Sequence, residues 1–512
     1  MKKTKNVCTV IIGLVWLLIQ MQVFASGKKD KNLSPQGKPA PEHDFSNHEL
    51  PPLPPDMKDG SLPPPPGMDG EQAVDYTGVV TVATSEAEVD PEKDTQILEK
   101  EITSTNSDES AVLIKSGGAE LSGAVIVKRG DATAVNQSNF TGVNAAVVAT
   151  GGSWLQMSDV GITTEGEGAN AIVATGKGTV VSVKDVQIAT TKNSSRGLHA
   201  TYQGSIIAEN VTISTKGAHC AGLATDRGEG TVVLNKGSVQ TEGEGSPVIY
   251  STGNITAAEV SGTAKGSEIA VVEGKNTIVM DHCTLSGTGP HGIMLYQSFS
   301  GDADIGKSVL SIKDCALTSD TTGPFFYITN TNAKIDLTKS DIQFTSGVLL
   351  KASGNNGERG WGMAGSNGGS VTLKAYNQKL AGDIECDRIS TVTLELGDAA
   401  EYTGTINSAK QGCVGVKLTK TAQWIVTSDS YIGSLSDTDS TYSNIISHGH
   451  TIYYDSSDAA NAYLQQRIVT LPDGGQLVPY IAEHPVIEKK TSKMSNRPPH
   501  GKPMGQPPAH FN

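Results

Sequence analysis

Cysteine and aromatic residues are both scarce in this chain of 512 residues. Of six cysteines, one lies at position 8, in a segment that we expect to be removed, and the others are Cys220, Cys283, Cys315, Cys386 and Cys413. An odd number leaves at least one thiol unpaired, and so few cysteines in so long a chain exclude a disulfide scaffold. The sequence leaves open which of them pair. Aromatic residues make up only 5% of the chain, which favours a long, narrow core over a broad globular one.

Basic residues are also few, with 40 Lys and Arg against 54 Asp and Glu and a net charge of −14. Nucleic-acid binding needs a basic face, so we expect no nucleic-acid partner. The acidic balance is typical of a protein that must stay soluble outside the cell.

Long apolar runs are missing as well. Residues 10–19 form an apolar stretch behind Lys2, Lys3 and Lys5, and small residues follow at 23–26. This pattern predicts a signal peptide over residues 1–26 and a secreted bacterial protein, extracellular or associated with the cell surface. A membrane span needs about 20 apolar residues, so we expect no transmembrane segment after signal cleavage.

Proline is concentrated near both ends of the chain. Residues 27–72 and 485–512 contain proline runs with few apolar residues between them, which predicts a disordered linker and a disordered tail.

The region between these ends repeats. A short strand ends in threonine every 24 to 27 residues, at Thr150, Thr175, Thr201, Thr225 and Thr252. A second marker, an apolar residue followed by polar residues and an alternating strand, recurs at 157–162, 183–188, 208–213, 280–285 and 312–317. A fixed period of this length indicates a repeat architecture, and strands rich in Val, Ile and Thr between Gly, Asn and Asp favour stacked β-strands.

We therefore predict an all-β fold, a right-handed parallel β-helix of about 14 turns stacked about 4.8 Å apart. The predicted order is an N-terminal cap over 73–110, the β-helix over 111–439 and closing strands over 440–484. Cys283 and Cys315 occupy the same place in their turns and are predicted to be buried and stacked.

Two stretches, GKNTIVMD at 274–281 and HGIMLYQS at 291–298, carry a resemblance to a known family. The chain resembles the pectin-lyase-like right-handed β-helix proteins, in particular adhesin-like members secreted by bacteria. The resemblance covers most of 110–455 and implies the fold, whereas activities differ widely within that superfamily.

No catalytic or metal-binding residues are predicted. Sugar hydrolysis needs paired carboxyl groups, but the sequence has no Asp-Asp pair, and only His291-Gly292 matches part of the histidine motif of polygalacturonase-like members. Acidic pairs occur at 165/167, 242/244, 302/304 and 437/439. A single pair supplies too few oxygens for calcium, so no cofactor is expected unless neighbouring turns contribute to a calcium site.

Two insertions give the candidate ligand site. Strands at 292–296, 324–328 and 347–351 align as successive turns; the first continues into an insertion over 299–306 and the third into one over 354–369. Their bases should lie about 10 Å apart on one edge, which a short oligosaccharide could bridge. The candidate ligand-binding residues are Asp302, Asp304, Glu358, Arg359 and Trp361, and the alternative is that Trp361 only covers the solenoid.

The expected function is a non-enzymatic, adhesin-like surface β-helix that binds an extracellular polysaccharide, a host or cell-surface glycan, or a partner surface. The alternatives are a divergent polysaccharide lyase or hydrolase and a structural spacer. Stacked acids with a basic residue on one face would favour an enzyme, and exposed aromatic rings beside polar loops would favour binding.

Overall fold

The computed structural model describes residues 74–83, 95–298, 300–355 and 361–482. Over these residues the chain is an all-β parallel solenoid of about 15 turns, which confirms the predicted class. The helices within the described residues are one α-helix, Val135–Thr141, and one 3-10 helix, Ala459–Leu464. The domain boundaries predicted from the sequence stay predictions, and the two proline-rich ends lie outside the described residues.

Sheet 1 contains twelve parallel strands, each contributed by a different turn. Its strands are, in chain order, Thr77–Ala83, Glu109–Ser116, Val147–Ala149, Ile172–Thr175, Leu198–Thr201, Leu223–Thr225, Ile249–Ser251, Ala270–Glu273, Ile293–Tyr296, Phe326–Thr329, Val348–Ala352 and Asp383–Cys386. The order in space is the order in the chain, so every turn lies beside the one before it.

Sheet 2 consists of two parallel ladders. Four strands of eleven residues belong to both ladders: Val180–Thr190, Ser205–Thr215, Thr231–Thr241 and Asn254–Ala264. The first ladder also contains Thr95–Ile97, Gly118–Ser122, Trp154–Ser158, Thr277–Asp281, Lys307–Lys313, Asn332–Thr338, Ser370–Tyr376, Thr391–Leu396, Cys413–Leu418 and Ser434–Asp437. The second contains Glu101–Ser104, Val125–Lys128, Gly161–Thr164, Thr284–Gly287, Ala316–Ser319 and Asp341–Phe344.

Two smaller sheets lie toward the C-terminal end. Sheet 3 is Lys379–Ala381, Glu401–Thr403, Gln423–Ile425 and Ile445–Ile446, all parallel. Sheet 4 is Ser430–Ile432, Thr451–Asp455 and Gln476–Tyr480, with Val469–Thr470 added antiparallel to the last of them.

A left-handed residue marks the bend between the two ladders of sheet 2. The residue at this bend has a positive φ in turn after turn, as in Asp185, Asn210, Lys236, Glu259 and His282, with values between 53° and 61°. Asp and Asn tolerate this conformation because their short polar side chains can hydrogen-bond locally. One such residue per turn changes the direction of the chain without interrupting the stacking.

The core is a narrow column of inward side chains. Alternation along each strand places Val, Ile, Leu and Ala inside, for example Val181, Val183 and Ile188, all at most 3% exposed. Cys283 and Cys315 lie in this column, with the Cys283 backbone N–H 3.3 Å from the Cys315 sulfur, which confirms their predicted burial and stacking.

The two sequence markers differ in how well they give the register. The second marker is confirmed, since Met157 pairs with Val183, Val183 with Ala208 and Met280 with Ile312. The threonine marker is wrong by one residue at one turn. Ala200 pairs with Thr225, so Thr201 lies level with Asp226 rather than with Thr225. The strands at 292–296, 324–328 and 347–351 lie on adjacent turns, as predicted. Their predicted alignment is wrong by one residue at each step, because Ile293 pairs with Phe326 and Phe326 pairs with Leu350.

Candidate functional site

The outer face of sheet 1 is covered along much of its length instead of facing solvent. One outward column runs through register-paired positions that are mostly buried: Val173, His199, Ala224, Tyr250, Val271, Met294 and Tyr327. The helix Val135–Thr141 covers one end, where His199 Nε2 lies 2.6 Å from the Asn139 carbonyl oxygen. The insertion after Tyr296 and the segment around Trp361 lie at the other end.

A second outward column contains two buried carboxylic acids, Asp226 and Glu273. Glu273 is only 1% exposed and pairs in register with Tyr296. Its carboxylate accepts hydrogen bonds from the Tyr250 hydroxyl at 2.6 Å, from the Tyr296 hydroxyl at 2.9 Å and from the Ser298 hydroxyl. Burial raises the pKa of Glu273, the nearby charge of Asp302 acts in the same direction, and the hydroxyl donors act against both.

Asp226 is 4% exposed and lies between two arginines. The Arg227 backbone N–H donates to it at 2.9 Å, and Arg196 Nη2 lies 3.4 Å from its Oδ2. Burial raises the pKa of Asp226 to about 7, with Asp302 adding to the effect. The Arg196 guanidinium lowers that pKa but does not outweigh the loss of solvation.

The Asp302 carboxylate lies near both buried acids, Asp226 and Glu273. It lies in the insertion after the strand Ile293–Tyr296, and this insertion folds back over the preceding turns. There the Asp302 carboxylate pairs with Arg227 Nε at 2.8 Å, while the same guanidinium lies 3.8 Å from the centre of the Phe140 ring. Asp226, Glu273 and Asp302 are called the carboxylate cluster below.

Several buried polar atoms around the carboxylate cluster have no hydrogen-bond partner among the described residues. They are Arg196 Nη1, Tyr202 Oη, Thr252 Oγ1 and Gln297 Oε1. Thr252 follows the register pair Ser251–Val272 by one residue, which brings it level with Glu273. Buried polar atoms are almost always hydrogen-bonded, so a group of unpartnered ones marks a place where an internal water would be stabilised.

Half-buried aromatic rings border the same face. The Trp361 ring centre lies 5.1 Å from that of Tyr296, and His291 stacks on Tyr327 at 4.3 Å with an interplanar angle of 7°. Tyr250 completes the group, and its hydroxyl donates to Glu273. Flat aromatic faces beside buried hydrogen-bonding groups resemble the usual lining of a small-ligand site.

The structure places the predicted site residues as follows. Asp302 and Trp361 both lie at this outer face, Asp302 through Arg227 and Trp361 through Tyr296. Asp304 lies at its edge, 2.6 Å from Lys275 Nζ. Glu358 and Arg359 lie outside the described residues. Ligand binding by this set stays a prediction.

Sequence reasoning missed Asp226, Glu273, Arg196 and Arg227. The repeat had predicted threonines along this column, and the one-residue slip concealed that Asp226 takes the position of a threonine. A signal was present, because the threonine spacing shortens to 24 and then lengthens to 27 at this point of the chain.

Acidic residues from the pairs that were considered as calcium ligands contact basic side chains or backbone groups of the protein. Glu165 pairs with Arg129 at 2.9 Å and Glu242 with Lys265 at 3.1 Å. Asp439 accepts from the backbone and hydroxyl groups of the turn that follows it. Asp281, His282 and Asp314 lie close enough to hold a metal ion, but Lys313 Nζ lies 3.3 Å from Asp281 and 3.4 Å from Asp314.

Within the part of the chain that the structure describes, no helix has the length and apolar character needed to cross a membrane. Comparison of the chain with protein-family models, with curated proteins and with solved structures found no match. Function is therefore inferred from the chemistry of the outer face of sheet 1.

Proposed function

We propose that this protein is a secreted, non-enzymatic, adhesin-like β-solenoid of the pectin-lyase-like type that binds an extracellular glycan on the outer face of sheet 1. The observation that supports this most is the group of half-buried aromatic side chains on that face, Tyr250, Tyr327 and Trp361. The apolar face of a sugar packs well against an aromatic ring.

These side chains are spread over several turns. Tyr250 and Tyr327 occupy one outward column three turns apart, and the Trp361 ring centre lies 5.1 Å from that of Tyr296. The strands beneath them belong to a continuous parallel sheet, so the rings are held at spacings set by the stacking of the turns.

The test is a glycan-array screen of the mature chain, repeated with Trp361→Ala and with Trp154→Ala as a matched control. Trp154 lies on sheet 2 and is 37% exposed. Loss of Trp361 should weaken binding of the identified glycan about tenfold, while Trp154→Ala should leave it unchanged. Equal affinities for all three proteins, or no glycan bound at all, would contradict the proposal.

A second candidate is hydrolysis of a glycan at the same place. It is favoured by the raised pKa values of Asp226 and Glu273 beside Asp302, because general acid–base catalysis needs one protonated and one ionised carboxyl group. Binding remains the first proposal because both acids are almost fully buried. Release of new reducing ends that disappears in Glu273→Gln would establish the second candidate instead.

A further inference from the structure

Sheet 1 begins with the strand Thr77–Ala83, which is paired on one side only. Its partner is Glu109–Ser116 in parallel register, with Val80 opposite Val112. Among the described residues no strand lies on the other side, so backbone N–H and C=O groups along that edge have no ladder to join. An unpaired edge of this kind is a ready surface for a further strand.

The strand Thr77–Ala83 has none of the features that usually protect such an edge. Its sequence, TGVVTVA, contains no charged residue and no proline and is rich in β-branched residues. Two other strands at this end of the solenoid, Thr95–Ile97 and Glu101–Ser104, are also paired on one side only. One of them has only three residues and the other begins with an exposed glutamate, so both are poor partners for a further strand.

The outward side chains of the strand face solvent. Thr77, Val79 and Thr81 are exposed, and Val79 has 49% of its surface accessible, whereas the inward Val82 has 7%. A second strand beside this edge would cover the exposed valine with its own β-branched side chains, and cross-strand pairs of this type stabilise a sheet.

The segments that flank this strand in the chain do not have the composition of a second strand. Residues 27–73 contain no Val, Ile or Thr. They contain eleven prolines, at positions 35, 39, 41, 51, 52, 54, 55 and 63–66. Proline has no N–H to donate to a ladder. Residues 84–94, which lead to the next strand, contain five acidic residues and a proline.

A second copy of the chain can supply the missing strand only from the same edge of its own sheet 1. The strand at the opposite edge, Asp383–Cys386, is covered by the next turn. There the Ile384 N–H donates to the Thr405 carbonyl oxygen at 3.0 Å, and the Asn407 N–H donates to the Ile384 carbonyl oxygen at 2.8 Å. Identical edges meet about a two-fold axis, and an uncharged strand meets its own copy without placing like charges opposite each other.

We propose that the protein forms a two-fold symmetric dimer in which the Thr77–Ala83 strands of two copies pair antiparallel. With the axis at the central residue of the strand, Val80, each Val79 lies opposite the partner's Thr81. The two copies of sheet 1 then form one continuous sheet, and their outer faces point to the same side. This inference does not depend on glycan binding, but such a dimer would present two copies of the outer face to one surface.

The experiment is sedimentation velocity of the chain from residue 27, over about 1 to 100 µM, with Val79→Lys and a matched control, Val125→Lys. Val125 is 53% exposed, but its strand is paired on both sides, with Glu101–Ser104 and with Gly161–Thr164. Val79→Lys should weaken dimerisation at least about tenfold, because it places two like charges close to the axis. Val125→Lys should dimerise like the wild type. Circular dichroism confirms that both variants are folded.

Hydrogen exchange identifies the strand that forms the contact. Exchange of amides within Thr77–Ala83 should slow as the dimer forms and become faster again on dilution. Slow exchange that does not change with concentration would mean that another segment of the same chain covers the edge, and the inference would fail. A monomer over the whole concentration range, or a dimer that Val79→Lys leaves intact, would also overturn it.

Discussion

At the scale of single residues, Asp226 couples the outer face of sheet 1 to pH. Its pKa is raised to about 7 in the folded protein, first by burial and then by Asp302, against the opposing effect of Arg196. The folded protein therefore keeps a proton that the unfolded chain releases at lower pH. The stability associated with that proton is complete below about pH 4 and is lost as the pH rises toward 7.

Asp226→Asn should remove this part of the pH dependence. Relative to the variant, the wild-type free energy of unfolding should fall between about pH 4 and pH 7, by at most about 4 kcal/mol. Urea unfolding at several pH values measures the difference, with Asp281→Asn as an exposed-charge control. Parallel pH profiles for wild type and Asp226→Asn would show that the carboxyl group titrates normally.

The cysteines should differ sharply in reactivity. All five described cysteines are free thiols, four of them buried and Cys413 half-buried. Burial raises the pKa of Cys413 to about 11, with Asp458 and Asp455 adding to it, so even this thiol is mostly protonated at neutral pH. We expect slow labelling of Cys413 alone in the native protein and labelling of all five after unfolding. Mass spectrometry of alkylated peptides checks this, and a native bridge between Cys283 and Cys315 would contradict it.

At the scale of the element, the residues at the left-handed bend in sheet 2 differ in how well they tolerate a positive φ. Lys236 is exposed and has a φ of 61°, whereas Asn210, one turn before it, is of a type that tolerates this conformation. Lys236→Asn should stabilise the protein by about 0.5–1 kcal/mol.

The matched control for the bend is Lys216→Asn, an exposed lysine that does not have a positive φ. That control should be neutral or slightly destabilising. Denaturant midpoints for the two variants compare them directly. A control as stabilising as Lys236→Asn would mean that charge, not backbone conformation, causes the effect.

The strands and bends of the solenoid differ in how far the sequence could predict them. The alternation around Met157, Val183 and Ala208 predicted both strands and register, because each inward side chain must enter one narrow core. Counting from the threonines misplaces Asp226, because Thr225 pairs with Ala200 and so lies one place earlier in its strand than Thr201 does. The contact between Arg227 and Asp302 spans 75 residues, and no local pattern encodes it.

At the scale of the whole molecule, most contacts of a solenoid are between neighbouring turns. A substitution in the core should therefore destabilise mainly the turns beside it. Trp424 is fully buried near the C-terminal end, donates its indole N–H to the Gly404 carbonyl oxygen at 3.1 Å and lies 6.4 Å from the Tyr402 ring. Trp424→Ala should cost about 3–5 kcal/mol in the C-terminal turns.

Hydrogen exchange followed by mass spectrometry tests this locality. Exchange in Trp424→Ala should accelerate over the strands from about residue 400 onward and stay slow over Val180–Thr190 and Ser205–Thr215. A matched substitution at exposed Trp154 should change neither region. Uniform acceleration along the rod would instead indicate a single cooperative unit.

The strand Val469–Thr470 runs opposite to every other paired strand described in the structure. It pairs with Gln476 and Leu477 on the outer edge of the strand Gln476–Tyr480, where a further parallel turn would otherwise add. A reversed strand presents its amides and carbonyls in the wrong spacing for such a turn. Addition of another parallel strand to sheet 4 is therefore opposed at these two residues by a single short hairpin.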